Sequence, residues 1–152
     1  GLLLRSMIRL LTVYDLPLAS QMGPKFYVEG KVPGEFIPEV FVASWTTLIE
    51  RGLGFIVGLF KESKLCGCLG AAVTKCLNSG QLIANEQFWF VLPEARGDGL
   101  RMVPAYEDEA MKRGAKRCSM ALIKNLQPEA LGAYYERRGY VAFEIAYAKE
   151  LK

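Results

Sequence analysis

Apolar residues recur along this chain in two patterns: short runs that are continuously apolar, and longer stretches where they return every three to four positions. Met7 to Thr12 is a strand-like run. Asp15 then caps a helix that tolerates Pro17 in its first turn and extends to about Gly30. Lys31-Val32-Pro33-Gly34 breaks the pattern. From Glu39 to Arg51, the residues Val40, Phe41, Trp45, Leu48 and Ile49 share one helical face, and Gly52 is placed as a C-cap. Gly54 to Phe60 is apolar and β-branched, Glu62-Ser63 is a turn, and Leu65 to Lys75 returns as the second strand of a hairpin. Beyond the Asn78-Ser79-Gly80 turn, the pattern predicts a strand over Leu82 to Val91 and a helix over Leu100 to Lys112, with Pro104 acceptable only in its first turn. A strand over Arg117 to Ile123, a helix over Pro128 to Arg138 ended by Gly139, and a last strand over Tyr140 to Lys149 complete the series. The order β-α-α-β-β-β-α-β-α-β gathers both element types around one sheet, an α+β arrangement of the α/β-sandwich kind.

Composition narrows the class. The 152 residues are one domain's worth, 1–152, and enough to bury a real core. Hydrophobic residues make up 51% and charged residues 23%, which fits a globular protein rather than a disordered one. No apolar run has the length to cross a bilayer, and Leu2-Leu3-Leu4 is too short for a signal peptide's apolar region. A cytoplasmic protein with no membrane partner is therefore expected. Met7 could be the natural start, with residues 1–6 an extension. The net charge of +3 is mild. Lys112-Arg113 and Lys116-Arg117 fall near a helix end, where the dipole favours cations, so no nucleic-acid partner is expected. Strongly salt-dependent DNA binding would be the sign of the contrary.

Four cysteines, Cys66, Cys68, Cys76 and Cys118, lack the spacing of a zinc site, and there is no histidine to complete one, so no metal is expected. Reduced thiols are the expected state. Cys66 and Cys68 would lie on one face of a strand, and Cys118 would be a small core residue. The absence of histidine also removes Ser-His-Asp and Cys-His catalysis and the usual imidazole base. Acid–base chemistry must then use carboxylate, phenol, thiol, amine or ordered water.

The candidate chemistry centres on Val91-Leu92-Pro93-Glu94-Ala95-Arg96-Gly97-Asp98-Gly99-Leu100-Arg101, between a strand and a helix. Glycines there let the backbone come close and adopt positive φ, and the helix start offers free N–H groups to an anion. An ordinary strand-to-helix turn would look the same in isolation. Three stretches add to it. Val-x-Pro-Glu-x-Arg-Gly-x-Gly resembles the acetyl-CoA pyrophosphate loop of the GNAT superfamily of N-acetyltransferases. Tyr134-Tyr135-Glu136-Arg137-Arg138-Gly139-Tyr140 is similar to that superfamily's C-terminal Tyr-x-x-x-Gly-aromatic signature, and Met7 to Leu16 to its opening strand and helix start. The region from Glu129 to Leu151 also resembles small GNAT proteins of bacteriophages and prophages.

That resemblance implies a mixed central sheet of six to seven strands with helices on both faces, and acetyl-CoA lying between two parallel strands that splay apart. It implies pyrophosphate binding by backbone N–H groups of Arg96, Gly97, Asp98, Gly99, Leu100 and Arg101, and pantetheine contacts from Phe90, Val91 and Asn125, with the Val91 N–H as oxyanion donor. The loop departs from the family pattern at Arg101, where a small residue is usual, so either one cradle position is lost or the loop is shortened. Asp98 is unfavourable near phosphates unless it points outward. The resemblance makes Tyr135, four residues before Gly139, the acid for the departing thiolate, with Tyr134 the alternative one residue away. A phenol is protonated at neutral pH and suits that task, though an aromatic on an amphipathic helix can equally be core. Glu86 is the candidate base: within an apolar strand its pKa would rise, but it could instead face solvent at a strand edge. A bulge in that strand would switch faces. Phe26, Tyr27, Phe36, Phe41 and Trp45 could line an acceptor site or form core.

The expectation is acetyl transfer from acetyl-CoA to a primary amine of a small molecule or peptide. The alternative is a catalytically inactive CoA-binding or structural module of the same fold. An exposed last strand leaves a homodimer open.

Overall fold

The protein is described by a computed structural model covering residues 6–152. Its sheet has five strands in the order β1-β2-β3-β4-β5: β1 (Ser6–Leu10), β2 (Gly54–Lys61), β3 (Lys64–Lys75), β4 (Leu82–Val91) and β5 (Arg117–Ser119). Neighbours from β1 to β4 run antiparallel, and β4 pairs β5 in parallel. The helices are α1 (Leu16–Ser20), α2 (Gly23–Gly30), α3 (Pro38–Glu50), α4 (Arg96–Gly99), α5 (Met102–Lys112) and α6 (Pro128–Arg137).

β2 is the central apolar run expected of a strand covered on both faces. Phe55, Val57 and Leu59 face a core shared with Leu69, Met102, Tyr106 and Ala110, beneath α5. Ile56 and Phe60 face the other core, with Leu16, Ala19, Phe41 and Trp45 from α1 and α3. Helices thus cover both faces, as predicted. Burying each such apolar side chain contributes about 1.5–3 kcal/mol.

Four expectations are corrected. The helix from Asp15 to Gly30 is two helices, because the ring of Pro24 cannot continue a helix already under way and instead starts α2. The strand predicted over Arg117 to Ile123 pairs only as far as Ser119. Tyr140 to Lys149 forms no strand. Val141, Phe143, Ile145 and Tyr147 alternate as a strand would, yet they are 77–93% exposed and have no ladder to join. The sheet consequently has five strands, not six or seven. Finally, Cys66 and Cys68 lie on opposite faces. β3 is a strand, but the pairing with β2 skips Cys66 between Leu59–Gly67 and Phe60–Leu65, and that bulge reverses the alternation.

Pro104 sits in the first turn of α5, where no N–H is needed. α6 begins with Pro128 and stops at Gly139, whose φ of 93° suits glycine. The Tyr140 N–H then bonds back to the Tyr135 carbonyl at 3.0 Å.

Candidate active site

The site is created by what happens in the middle of β4. Its register with β3 steps from Gly70–Phe88 to Ala71–Glu86, so Gln87 is an extra residue. Ahead of the bulge Ala84 faces the α5 core; beyond it Phe88 and Phe90 turn to the α3 side, and Trp89 and Val91 to the α5 side. On the other edge, the parallel ladder with β5 ends at Asn85–Ser119. From Glu86 onward β4 and the chain after β5 diverge.

Side chains take over where the ladder ends. The Glu86 Oε1 accepts the Ala121 N–H at 3.1 Å, and the Tyr135 hydroxyl donates to the Ala121 carbonyl at 3.2 Å. Ala121, two residues past the strand, is therefore held from both sides by the two groups singled out as base and acid. Burial raises the Glu86 carboxyl from 4.5 to about 7, against the opposing pull of the Ala121 N–H. Burial first, and the Glu86 charge second, push the Tyr135 phenol above its ordinary value, so it is protonated at neutral pH.

Two adjoining cavities occupy the opening. The first, about 530 Å³, is bordered by Phe36, Phe41, Trp45, Glu86, Phe88 and Ala121 among others. The second, about 500 Å³, is bordered by Val91, Arg96, Gly99, Leu100, Asn125 and Tyr134, with Glu29 and Arg137. Phe26, Trp89, Leu126 and Leu131 border both.

The expected cofactor residues divide accordingly. Val91, Arg96, Gly99, Leu100 and Asn125 surround the second cavity, and Phe90 borders the first. Gly97, Asp98 and Arg101 border neither. Asp98 points outward to Lys61 at 2.7 Å, which removes its charge from the cavity. Arg101 reaches away to the Ser6 hydroxyl. The loop glycines do not use positive φ: residues 96–99 form the short helix α4. Gly99 is needed for close approach instead, since a Cβ there would lie 3.2 Å from a Val91 methyl. Arg96 pairs with Glu29 at 2.6 Å, and Asn125 donates to the Gly30 carbonyl at 3.1 Å, tying α2 to the far wall.

Tyr134 and Tyr135 are adjacent but serve different ends. The Tyr134 hydroxyl bonds the Leu100 carbonyl at 3.0 Å, on the loop side of the second cavity. The Tyr135 hydroxyl lies on the Ala121 carbonyl near Glu86, while Tyr135 itself is buried and, unlike Tyr134, borders neither cavity.

No family model matches the chain, and no curated protein sequence matches it. Solved structures do. A transcriptional regulator from Bacillus halodurans superposes with a TM-score of 0.78 at 21% identity, over 97% of this chain and 100% of that one. A predicted acetyltransferase with acetyl-CoA from Clostridium acetobutylicum gives 0.78 at 12% identity, over 96% of both chains. An aminoglycoside acetyltransferase from an uncultured soil metagenomic sample gives 0.75 at 18%, over 97% of both. The chain has the fold of these acetyltransferases.

Within that fold, sequence reasoning overlooked Trp89, Leu126, Leu131 and Arg137. A signal for the last two was present. Gln127, Leu131, Tyr134 and Arg137 follow helical spacing, so one stripe of α6 faces the second cavity.

Proposed function

We propose that this protein transfers an acetyl group from acetyl-CoA to a primary amine by direct attack, with Glu86 as base and Tyr135 as acid. The observation that carries the reading is the pair of cavities meeting where β4 leaves β5, with Glu86 and Tyr135 gripping Ala121 at that point.

The second cavity suits the cofactor chemically. Arg96 and Arg137 border it, fitting an anionic end, and Phe26, Trp89, Leu126 and Leu131 give an apolar wall for the pantetheine arm. Phosphate would have to displace Glu29 from Arg96. The Arg96 N–H is spent on the Pro93 carbonyl and those of Leu100 and Arg101 on the Asp98 carbonyl, while Gly97 and Asp98 border neither cavity, so the phosphate contacts proposed here are chiefly the Arg96 and Arg137 side chains. Bound acetyl-CoA would supply the acetyl group as a thioester. Glu86, ionised above about pH 7, takes a proton from the incoming ammonium. Tyr135 would be the group that protonates the departing thiolate and regains a proton from the nitrogen, and the proton held by Glu86 would leave to water, so that the C–N bond made, the C–S bond broken and the protons balance. Tyr135 is proposed for this task because its hydroxyl shares Ala121 with Glu86; Tyr134, which borders the second cavity with its hydroxyl on the Leu100 carbonyl, is the alternative donor.

Calorimetric titration with acetyl-CoA tests the cofactor site. The wild type should bind, and Gly99→Glu should lose about 100-fold or more in affinity, because the side chain collides with Val91 and sets a carboxylate among the phosphates. Equal affinity in both would place the cofactor elsewhere. Absence of binding by the wild type would favour the structural-module alternative.

The exposed alternation Val141, Phe143, Ile145 and Tyr147 supports pairing of this segment with a second copy. Sedimentation should show a dimer that Ile145→Pro converts to monomer; a monomeric wild type would dismiss the pairing.

A further inference from the structure

The first cavity differs in character from the second, and its walls say what kind of amine it takes. Resting on the acetyl-transfer reading above, we infer that the acceptor is a small amine with one ammonium group on an aromatic or equally bulky apolar body, an arylalkylamine in chemical class, seated with its nitrogen at Glu86.

The wall is a continuous run of rings. Phe26 lies 4.5 Å from Phe90 between centroids, Phe90 4.6 Å from Phe88, and Phe88 5.3 Å from Phe41. Trp45 meets Phe88 edge-to-face at 5.2 Å and 89°. Such edges and faces accept an aromatic guest and, through the ring quadrupole, a cation. Part of this cluster is core, since Phe41, Trp45 and Phe90 are buried. Phe26, Phe36 and Phe88 keep exposed surface at the cavity. The position of Phe88 is built in from beneath: a Cβ on Gly70 would stand 2.3 Å from its ring, so β3 must carry glycine there for the ring to lie flat against the strand. The bulge at Gln87 is what aims both Phe88 and Phe90 to this side.

Charge gives the second constraint. Among the described residues that border the cavity, Glu86 is the sole charged side chain. One carboxylate can pair one ammonium. Every further ammonium of a polycation would be desolvated against phenyl rings with no counter-charge, which is strongly unfavourable. A small polar amine would pair Glu86 but leave the aromatic wall uncovered. A cavity of about 530 Å³ matches a guest of modest size.

The test follows thiol release from acetyl-CoA with three probes: 2-phenylethylamine, ethanolamine and kanamycin. The kcat/KM for 2-phenylethylamine should exceed that for either other amine by about 100-fold, the worth of one buried phenyl group. Phe36→Ala should raise the KM for 2-phenylethylamine about 10-fold and leave the KM for acetyl-CoA unchanged. A thermal melt checks that variant; if it does not fold, the wild-type ratio decides alone. Kanamycin or ethanolamine turned over as well as 2-phenylethylamine would overturn the inference and leave acetyl transfer standing. Calorimetry of 2-phenylethylamine with the protein alone separates the two readings: selective binding without turnover of any amine sustains the aromatic site and sinks the transfer reaction.

Discussion

Along its β3 edge β4 is laddered from Leu82–Lys75 to Val91–Gly67, with one bulge at Gln87, whereas along its β5 edge the pairing stops at Asn85–Ser119. The first edge lies over a core in which Leu69, Ala71 and Ala84 have no exposed surface. The second edge is held past Asn85 by two side chains, Glu86 and Tyr135, acting on Ala121. One strand thus separates the part of the molecule that secures the fold from the part where backbone pairing stops and the two cavities open. Changes on the closed edge should be read in stability, and changes on the open edge in catalysis.

Tyr135→Phe tests that division most severely. The variant loses the proposed proton donor and one hydrogen bond to a backbone carbonyl. The kcat should fall about 10²- to 10⁴-fold, with the KM for acetyl-CoA unchanged and stability lower by only about 1 kcal/mol. If most of the kcat survived, the proton would come from another group, and Tyr134→Phe would be the next measurement.

On the closed edge, Leu69→Ala should lower the free energy of unfolding by about 2–5 kcal/mol, because a fully buried side chain leaves a cavity in the α5-side core. Denaturant melts measure it. At temperatures where the variant is folded, both KM values should equal the wild type's. A shift in either KM would mean that packing on the closed edge reaches into the splay, and the division would fail.

How much of this was legible beforehand follows the same line. The closed edge was readable because its information is local: β2, β3 and β4 are apolar runs bounded by Glu62-Ser63 and Asn78-Ser79-Gly80, and they formed within a residue or two of expectation. The loop at 96–99 was readable as a place but not as a shape, since neither glycine uses positive φ, Gly99 packs closely against Val91, and a Cβ on Gly97 would meet nothing. The bulges at Cys66 and Gln87 left no mark in composition, yet they decide which face each following side chain takes. Tyr140 to Lys149 shows the limit most plainly. Its alternation marks a segment able to pair, but pairing needs a neighbour, and β5 is too short to be one. Glu86 was readable as a carboxylate in an apolar strand, with a solvent-facing strand edge left equally open; its half-buried place and its grip on Ala121 depended on where two strands part, which no single stretch of sequence encodes.

Glu86 couples the two regions, and pH should separate its two roles. Its folded-state carboxyl titrates near 7 against 4.5 when solvated, because burial penalises the charge. Between those values the folded protein binds more protons than the unfolded chain, so stability falls as pH rises through this window and stays lower above it, by roughly 2–3 kcal/mol. Activity should move oppositely. The kcat/KM should climb through pH 7 as the carboxylate that accepts the amine's proton forms. Glu86→Gln removes the titration. Its stability should be flat across the window and exceed the wild type's above pH 7. Its activity should lose the inflection and approach the wild type's only near the solution pKa of the amine, where water supplies the free base. An inflection near 7 that persisted in Glu86→Gln would assign the base to another residue. A variant with lost activity but no gain in stability would mean that the Glu86 carboxylate is not desolvated, and the open edge would then be wetter than its aromatic walls imply.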